Sequence, residues 1–485
     1  MIEHIKPFNF ILTADGYKCL HWREIPPEVE FTYITVVPRK VSKYSDKIVA
    51  MGQTMLASLF ASVRITESMI DEAEIEITEQ GYEFNRKGWE YIARNLDGKL
   101  PLKMFGVEEG RIIEPQTPMV SIVNTLPNFA WLSAYVETIS QSILWKMTTV
   151  ASICKAVRIT LEEFCTLTGT PISDIDYMLH NFGDRGADGP EAAVIAGIAH
   201  AALFNGTDCI QANGYIKRLY GTNKAYMSSI EATEHSVMCA HSHAETRDDF
   251  GAAIMAVDRL YACVERAAKG NGLPIMSVVI DTYDSRRFVQ KFTGIMLKEK
   301  IVESGGCLVH RPDTGDATIE PGLVGKDLEA TFGVTINEAG YKDLHPAVGV
   351  IQGDGVRIDT HRAIIQGWVN AGFSLKRFCL GMGSGVTHDG GRDDFSFSIK
   401  ATANCIHGKW YRLLKEPITD FGKKSLSGLV RCRENRLGNL EVYDSLETGE
   451  LYKMWHEAPG WRNWYEDGFR GYRQSFDDVR QRARK

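Results

Sequence analysis

Val350-Ile351-Gln352-Gly353-Asp354-Gly355 and Phe378-Cys379-Leu380-Gly381-Met382-Gly383-Ser384-Gly385 are two apolar runs that each stop abruptly at glycine. Bare backbone N–H groups at such a stop can close around an anion. In (β/α) barrels, walls of this kind recur at the last strands, on the C-terminal face where active sites sit. The pair therefore points to a phosphorylated small-molecule substrate held at one end of a parallel sheet.

Short apolar runs near Tyr177–Leu179, Cys209–Ile210, Ala225–Met227, Ile275–Ile280 and Cys307–Val309 precede these two, so seven strand signals follow one another. Helical or loop segments separate them, among them Glu191–Phe204, Asp249–Ala268, Ser285–Lys298 and Thr360–Ala371. That alternation predicts an α/β fold, with a parallel barrel or an open parallel sheet over 171–395, and of the two the (β/α) barrel-like domain is preferred.

The flanks have a different rhythm. Leu102–Val107, Arg111–Ile113 and Val120–Val123 read as a β-meander, and Phe129–Leu167 as two helices ending at Gly169-Thr170-Pro171. From Ser396 onward, Phe397–Ala401, Lys409–Leu413, Ser427–Val430 and Leu440–Tyr443 read as strands again. Residues 1–170 and 396–485 are thus expected to form one discontinuous α+β domain with a mostly antiparallel sheet. The last helix, Phe476–Arg484, is basic and reads as a solvated tail.

The chain has 485 residues, 44% of them hydrophobic, with a net charge of -7 and a pI near 6.0. This balance argues against nucleic acid or an acidic membrane as partner. The ten cysteines spell neither CxxC nor a zinc ribbon and read as reduced thiols of a cytoplasmic protein. Met1–Pro7 has no signal-peptide h-region, and the longest uncharged stretch, Pro115–Val136, is interrupted by proline, so no membrane span is expected.

Polar motifs cluster at the predicted C-terminal strand ends: His180–Gly186, Gly206–Asp208, Thr233–Ser236, Asp281–Asp284 and Arg311–Gly315. Taken singly, each has a plainer reading. A lone arginine can be a structural ion pair, Asp208 a turn cap, His235 a core histidine. Five such motifs at successive strand ends are harder to assign to turn chemistry, which has no need of arginine. His241-Ser242-His243 lacks spaced partners and reads as structural or solvent-facing, and no Gly-Lys pair continues into a P-loop.

As an ordered set, HNFGDRG (180–186), FNGTD (204–208), ATEHS (232–236), VVIDTYD (278–284), RPDTG (311–315), QGDGV (352–356) and the glycine turn before Arg392 resemble the nicotinamide phosphoribosyltransferases, of the type II phosphoribosyltransferase fold. Asp15-Gly16-Tyr17-Lys18 resembles the start of those enzymes. The resemblance implies a homodimer that joins nicotinamide to phosphoribosyl pyrophosphate, giving nicotinamide mononucleotide and diphosphate for NAD salvage. It also implies Mg2+ with the diphosphate and ATP that phosphorylates a histidine.

Matched by motif, Phe182 would stack on the pyridine ring opposite Tyr17 of the neighbouring subunit. Asp208 would accept from the carboxamide and repel nicotinate. Arg185 and Arg311 would grip the diphosphate beside His235, the phosphorylated histidine. Pro312 lies in the same motif, and Asp313 would accept from ribose hydroxyls. Gly353 and Asp354 would line the sugar, and Gly383, Ser384 and Arg392 would take the 5′-phosphate. Asp281 would either orient His235 or help hold magnesium. Arg39, Lys400, Lys415 and Lys423 would complete a phosphate channel, or form a solvated face.

The chain departs from the family at Asn181, where Asp is usual, at Asp184, usually uncharged, and at Met382 and Ser384, where the family shows Ser and Gly. Phosphate binding at the second turn then depends on Ser384 keeping a negative φ. The alternatives are a nicotinate phosphoribosyltransferase, against which Asp208 counts, and a catalytically silent nucleotide-binding regulator.

Overall fold

The structure is a computed structural model that describes residues 8–419, 424–449 and 455–485. The chain divides into two compact units. One comprises the described parts of Met1–Ser152 with Ile216–Asn223 and Gly390–Lys485; the other comprises Ile153–Tyr215 and Lys224–Asp389. The division falls within the helix Glu137–Thr168 and not at Gly169–Pro171, where the turn residues had placed it. That helix has no internal proline or glycine to end it earlier.

In the first unit a seven-stranded sheet has Val29–Val37 near its centre, between Ser398–Ile406 and Val120–Asn124, all antiparallel. The strand VEFTYITVV is rich in β-branched and aromatic residues, as a sheet buried on both faces requires. Tyr33 sits 1% exposed among Val123, Ala403 and Leu429, and its hydroxyl donates to Val430 O at 3.0 Å. The C-terminal strands thus rejoin the N-terminal ones within this unit.

Two expectations are corrected here. Leu102–Gly106 pairs directly with Val120–Asn124, while Ile112–Ile113 between them leaves to pair with Ile48–Val49, so no simple meander forms. Gly110, at φ +83, makes that departure possible and donates its N–H to Ala50 O at 2.8 Å. The terminal helix Phe476–Arg484 is no solvated tail: Phe476, Val479 and Ala483 are buried on one face, and Ser475 and Asp478 form a capping box. Among its basic residues, Arg482 donates to Glu109 O at 2.7 Å.

The second unit holds a seven-stranded, all-parallel sheet in the order Gly206–Thr207, Leu179–Asn181, Phe378–Met382, Val348–Gln352, Cys307–Arg311, Ile275–Val279, Glu231–Ala232. The last strand, Phe378–Met382, pairs with the first, Leu179–Asn181, so the sheet curls as a barrel does. Between the two edge strands an isolated bridge joins Gly206 to Ser228, just before Glu231–Ala232.

The second and third strands lie elsewhere than expected. Cys209–Ile210 is the entry to the helix Ile210–Tyr220, and Ile210 is 89% exposed. Tyr226 and Met227 donate their N–H groups to the Asn213 side chain and not to a strand, and pairing resumes at Glu231–Ala232. The helices Pro190–Ala201, Phe250–Ala268, Glu320–Phe332 and His361–Asn370 intervene between strands.

All ten cysteines are free, and only Cys239 is exposed. Among the described residues no helix is long and apolar enough to cross a membrane.

Candidate active site

A cleft of about 460 Å³ opens at the C-terminal ends of the parallel strands of the second unit. Its walls include Phe182, Arg185, Arg311, Asp313, Gly353, Asp354, Gly383 and Ser384, so eight of the residues singled out from sequence meet in one cavity. They arrive in pairs on four strand ends, those of Leu179–Asn181, Cys307–Arg311, Val348–Gln352 and Phe378–Met382, which is why positions far apart in the chain converge.

The loop after Leu179–Asn181 carries the aromatic and one arginine. Asn181 Oδ1 accepts from Gly183 N at 2.8 Å, and Phe182 N donates to Met382 O at 2.8 Å, so the loop is fixed to the neighbouring strand. A Cβ at Gly381 would overlap the Phe182 ring. That glycine therefore makes room for an aromatic, whereas Gly383 has open space where its side chain would be. Ser384 has φ -55, a conformation open to any residue, so its side chain leaves the turn's backbone undisturbed. Arg185 lines the cleft with no ion-pair partner among the described residues.

Beside the cleft, His235 Nε2 lies 3.0 Å from Asp281 Oδ1, and His235 Nδ1 lies 3.7 Å from Asp313 Oδ2. Asp281 Oδ2 accepts from Asp313 N at 2.9 Å and Thr314 Oγ1 at 2.7 Å. Both oxygens of this nearly buried carboxylate are thus engaged in fixing the histidine and the loop after Arg311. Arg311 donates through Nη2 to Thr233 O at 3.0 Å, and its Nε is buried without a protein partner.

Asp208 does not line the cleft itself. Its N–H donates to Asn181 O at 2.9 Å and its carboxylate accepts from the Ser229 hydroxyl. The neighbouring Cys209 thiol donates to Asp184, so the unexpected carboxylate at 184 faces a buried thiol. Burial, reinforced by Asp184, pushes Cys209 up to about 12. Pro312 stands between the two lining residues Arg311 and Asp313.

The remaining candidates belong to the first unit. Tyr17 is 56% exposed, with its ring 5.9 Å from that of His21. Arg39 donates to Ser396 O and Oγ at 2.9 and 2.8 Å. Lys400 donates to Ile399 O at 2.7 Å, and burial pulls its ammonium below the usual lysine range. The backbone N–H groups of Lys415 and Ser425 bond reciprocally, to Ser425 Oγ and Lys415 O. Arg392 pairs with Asp393 at 3.0 Å. Lys423 lies outside the described residues.

Sequence reading missed Arg357, which lines the cleft and pairs with Asp389. The only signal was its place two residues beyond Gly355, a glycine at φ +68. Among the described residues no group of three or more His, Cys, Asp or Glu is placed to hold a metal ion.

Residues 177–448 match the nicotinate phosphoribosyltransferase (NAPRTase) family, and residues 9–104 match the nicotinamide phosphoribosyltransferase N-terminal domain. The chain is 30% identical over 468 residues to the nicotinamide phosphoribosyltransferase of Xanthomonas campestris pv. campestris (strain 8004), covering 94% of this chain and 96% of that one. It is 30% identical over 524 residues to the nicotinamide phosphoribosyltransferase of Acinetobacter baylyi (strain ATCC 33305 / BD413 / ADP1), covering 99% and 98%. In fold it is similar to nicotinate-nucleotide pyrophosphorylase from Pyrococcus furiosus, at TM-score 0.60 and 13% identity over 99% of this chain and 96% of that one. It is also similar to human nicotinic acid phosphoribosyltransferase, at TM-score 0.54 and 13% identity over 97% and 93%.

Proposed function

The chain belongs to the nicotinate phosphoribosyltransferase family, and from that premise we propose that it transfers phosphoribosyl from phosphoribosyl pyrophosphate to nicotinamide, as a step of NAD biosynthesis. One observation carries this reading: an aromatic, three arginines, two carboxylates and an open glycine turn share one cleft. A cosubstrate with anions at both ends of a sugar, and a flat base to receive the sugar, asks for that combination.

In the reaction the pyridine nitrogen forms a bond to C1 of the ribose as the C1–O bond to diphosphate breaks, and the electron pair leaves with the diphosphate. Arg185 and Arg311 hold the departing charge, since a guanidinium offers planar paired donors to phosphate oxygens. Asp313 and Asp354 accept from ribose hydroxyls, the amides at Gly383 and Ser384 take the 5′-phosphate, and Phe182 supplies a flat face for the base. Tyr17 of a second copy, with Arg39, Lys400 and Lys415, completes the site in a homodimer. The free thiols fit a reducing cytoplasm.

Asp208 lies outside the cleft lining but is bonded through its N–H to Asn181 O, next to Phe182. It selects the amide over the acid, because its carboxylate accepts from a carboxamide N–H reaching past the ring and repels a second carboxylate. The named relatives and the N-terminal domain match favour the same base.

His235 accepts the γ-phosphoryl group of ATP: the bond to the imidazole nitrogen forms as the γ-phosphorus–oxygen bond breaks, and ADP leaves. With Nε2–H donating to Asp281, Nδ1 keeps its lone pair and faces the Asp313 side of the cleft. Asp281, with both oxygens engaged, acts as the orienting residue. Asp313 and Asp354 are the carboxylates that would help hold magnesium, which would supply charge neutralisation of the diphosphate.

Diphosphate release from phosphoribosyl pyrophosphate tests the transfer: release that requires nicotinamide supports it, and release indifferent to the base contradicts it.

A further inference from the structure

A third arginine stands in the cleft. Arg357 shares it with Gly383, Ser384 and Gly385, and its side chain is 50% exposed. One edge of the guanidinium is pinned by an ion pair to Asp389, whose own side chain is 2% exposed. Asp389 is itself fixed by accepting from Ile358 N through Oδ2 at 2.7 Å. Glycine at 385 is what lets the carboxylate sit there, because a Cβ would come within 2.8 Å of Oδ2. The loop bearing Arg357 is braced as well: Arg357 N donates to Thr360 Oγ1 at 2.9 Å, and that hydroxyl in turn donates to Gly355 O at 2.6 Å.

A guanidinium has five donors, and one carboxylate uses only part of them. An arginine needed solely to neutralise Asp389 has no reason to stand in the wall of the cleft with half its side chain open. Its placement also differs from that of Arg311, which is tied to Thr233 on the His235 side. Arg357 is tied instead to Asp389, which ends the short helix Gly385–His388 that leads out of the Gly383–Gly385 turn. We propose that Arg357 is a substrate-binding residue that grips the 5′-phosphate of the phosphoribosyl group, together with the backbone of that turn. This rests on the transfer reading for the identity of the substrate. The pinned geometry means little ordering is required when the phosphate arrives.

Calorimetric titration of the full chain with nicotinamide mononucleotide, and with nicotinamide riboside, which lacks the phosphate, tests the assignment. Arg357→Ala is expected to weaken mononucleotide binding roughly tenfold or more while leaving riboside binding unchanged, as loss of a charge-assisted phosphate contact does. Arg357→Gln, which keeps a donor for Asp389 and so protects the fold, is expected to show the same phosphate-specific loss, and Arg357→Lys to recover part of it. Equal losses for both ligands, or no loss for either, overturn the proposal. If the native chain binds no mononucleotide, the transfer reading fails separately. Ribose 5-phosphate against ribose then decides Arg357 by the same comparison: a phosphate-specific loss in the variants supports it, and none overturns it.

Discussion

His235 and Asp281 meet through Nε2 and Oδ1 at 3.0 Å, and the second oxygen of Asp281 is taken up by Asp313 N and Thr314 Oγ1. The imidazole is therefore held in one orientation by a carboxylate that is itself held. His235→Ala should abolish stimulation by ATP and labelling from γ-labelled ATP while some basal synthesis remains. Asp281→Asn should cut labelling roughly tenfold, as misorienting a positioned imidazole does. Undiminished labelling of the alanine variant would contradict the assignment of His235.

Asp208 accepts from Ser229 and flanks the Asn181–Phe182 loop. Asp208→Asn should shift the ratio of kcat/KM for nicotinamide over nicotinate toward nicotinate by roughly tenfold or more, since a repelling charge is removed. Steady-state kinetics with both bases check this, and an unchanged ratio rejects the role.

Gly381 lies under the Phe182 ring with no room for a Cβ. Gly381→Ala should displace the ring and raise KM for nicotinamide more than KM for phosphoribosyl pyrophosphate. A rise confined to the phosphate substrate would show that this glycine serves the anion and not the aromatic.

His310 is fully buried at the strand Cys307–Arg311, with Nε2 3.1 Å from Thr293 Oγ1, and burial lowers it from 6.5 to about 4. The fold prefers the neutral ring, so between those values the unfolded chain binds more protons. Stability from this group is full above 6.5 and is lost as pH falls toward 4, by about 3 kcal/mol. Asp249, Asp327 and Asp389, raised by burial, act in the opposite sense. The readout is therefore the difference in Tm between native chain and His310→Gln, which should narrow from pH 7 to pH 4.5.

Much of this site could be read along the chain because each strand end announces itself locally. The apolar runs before Gly353 and Gly383 are five-residue strands in the structure, and their register places both turns in one cleft. The two-residue strands Gly206–Thr207 and Glu231–Ala232 carry too little pattern to be seen, and the exposed Ile210 imitated one. Arg357 escaped because its meaning lies in Asp389, a partner set by folding and not by spacing. The terminal helix is legible in the spacing of Phe476, Val479 and Ala483, but its basic residues mask that apolar face.

The proposed acceptor base is nicotinamide. Equal concentrations of nicotinamide and nicotinate, offered together with limiting phosphoribosyl pyrophosphate, should yield nicotinamide mononucleotide in roughly tenfold or greater excess, the discrimination a single repelling carboxylate supplies. Nicotinate mononucleotide in equal or larger amount, or no mononucleotide of either kind, would contradict it.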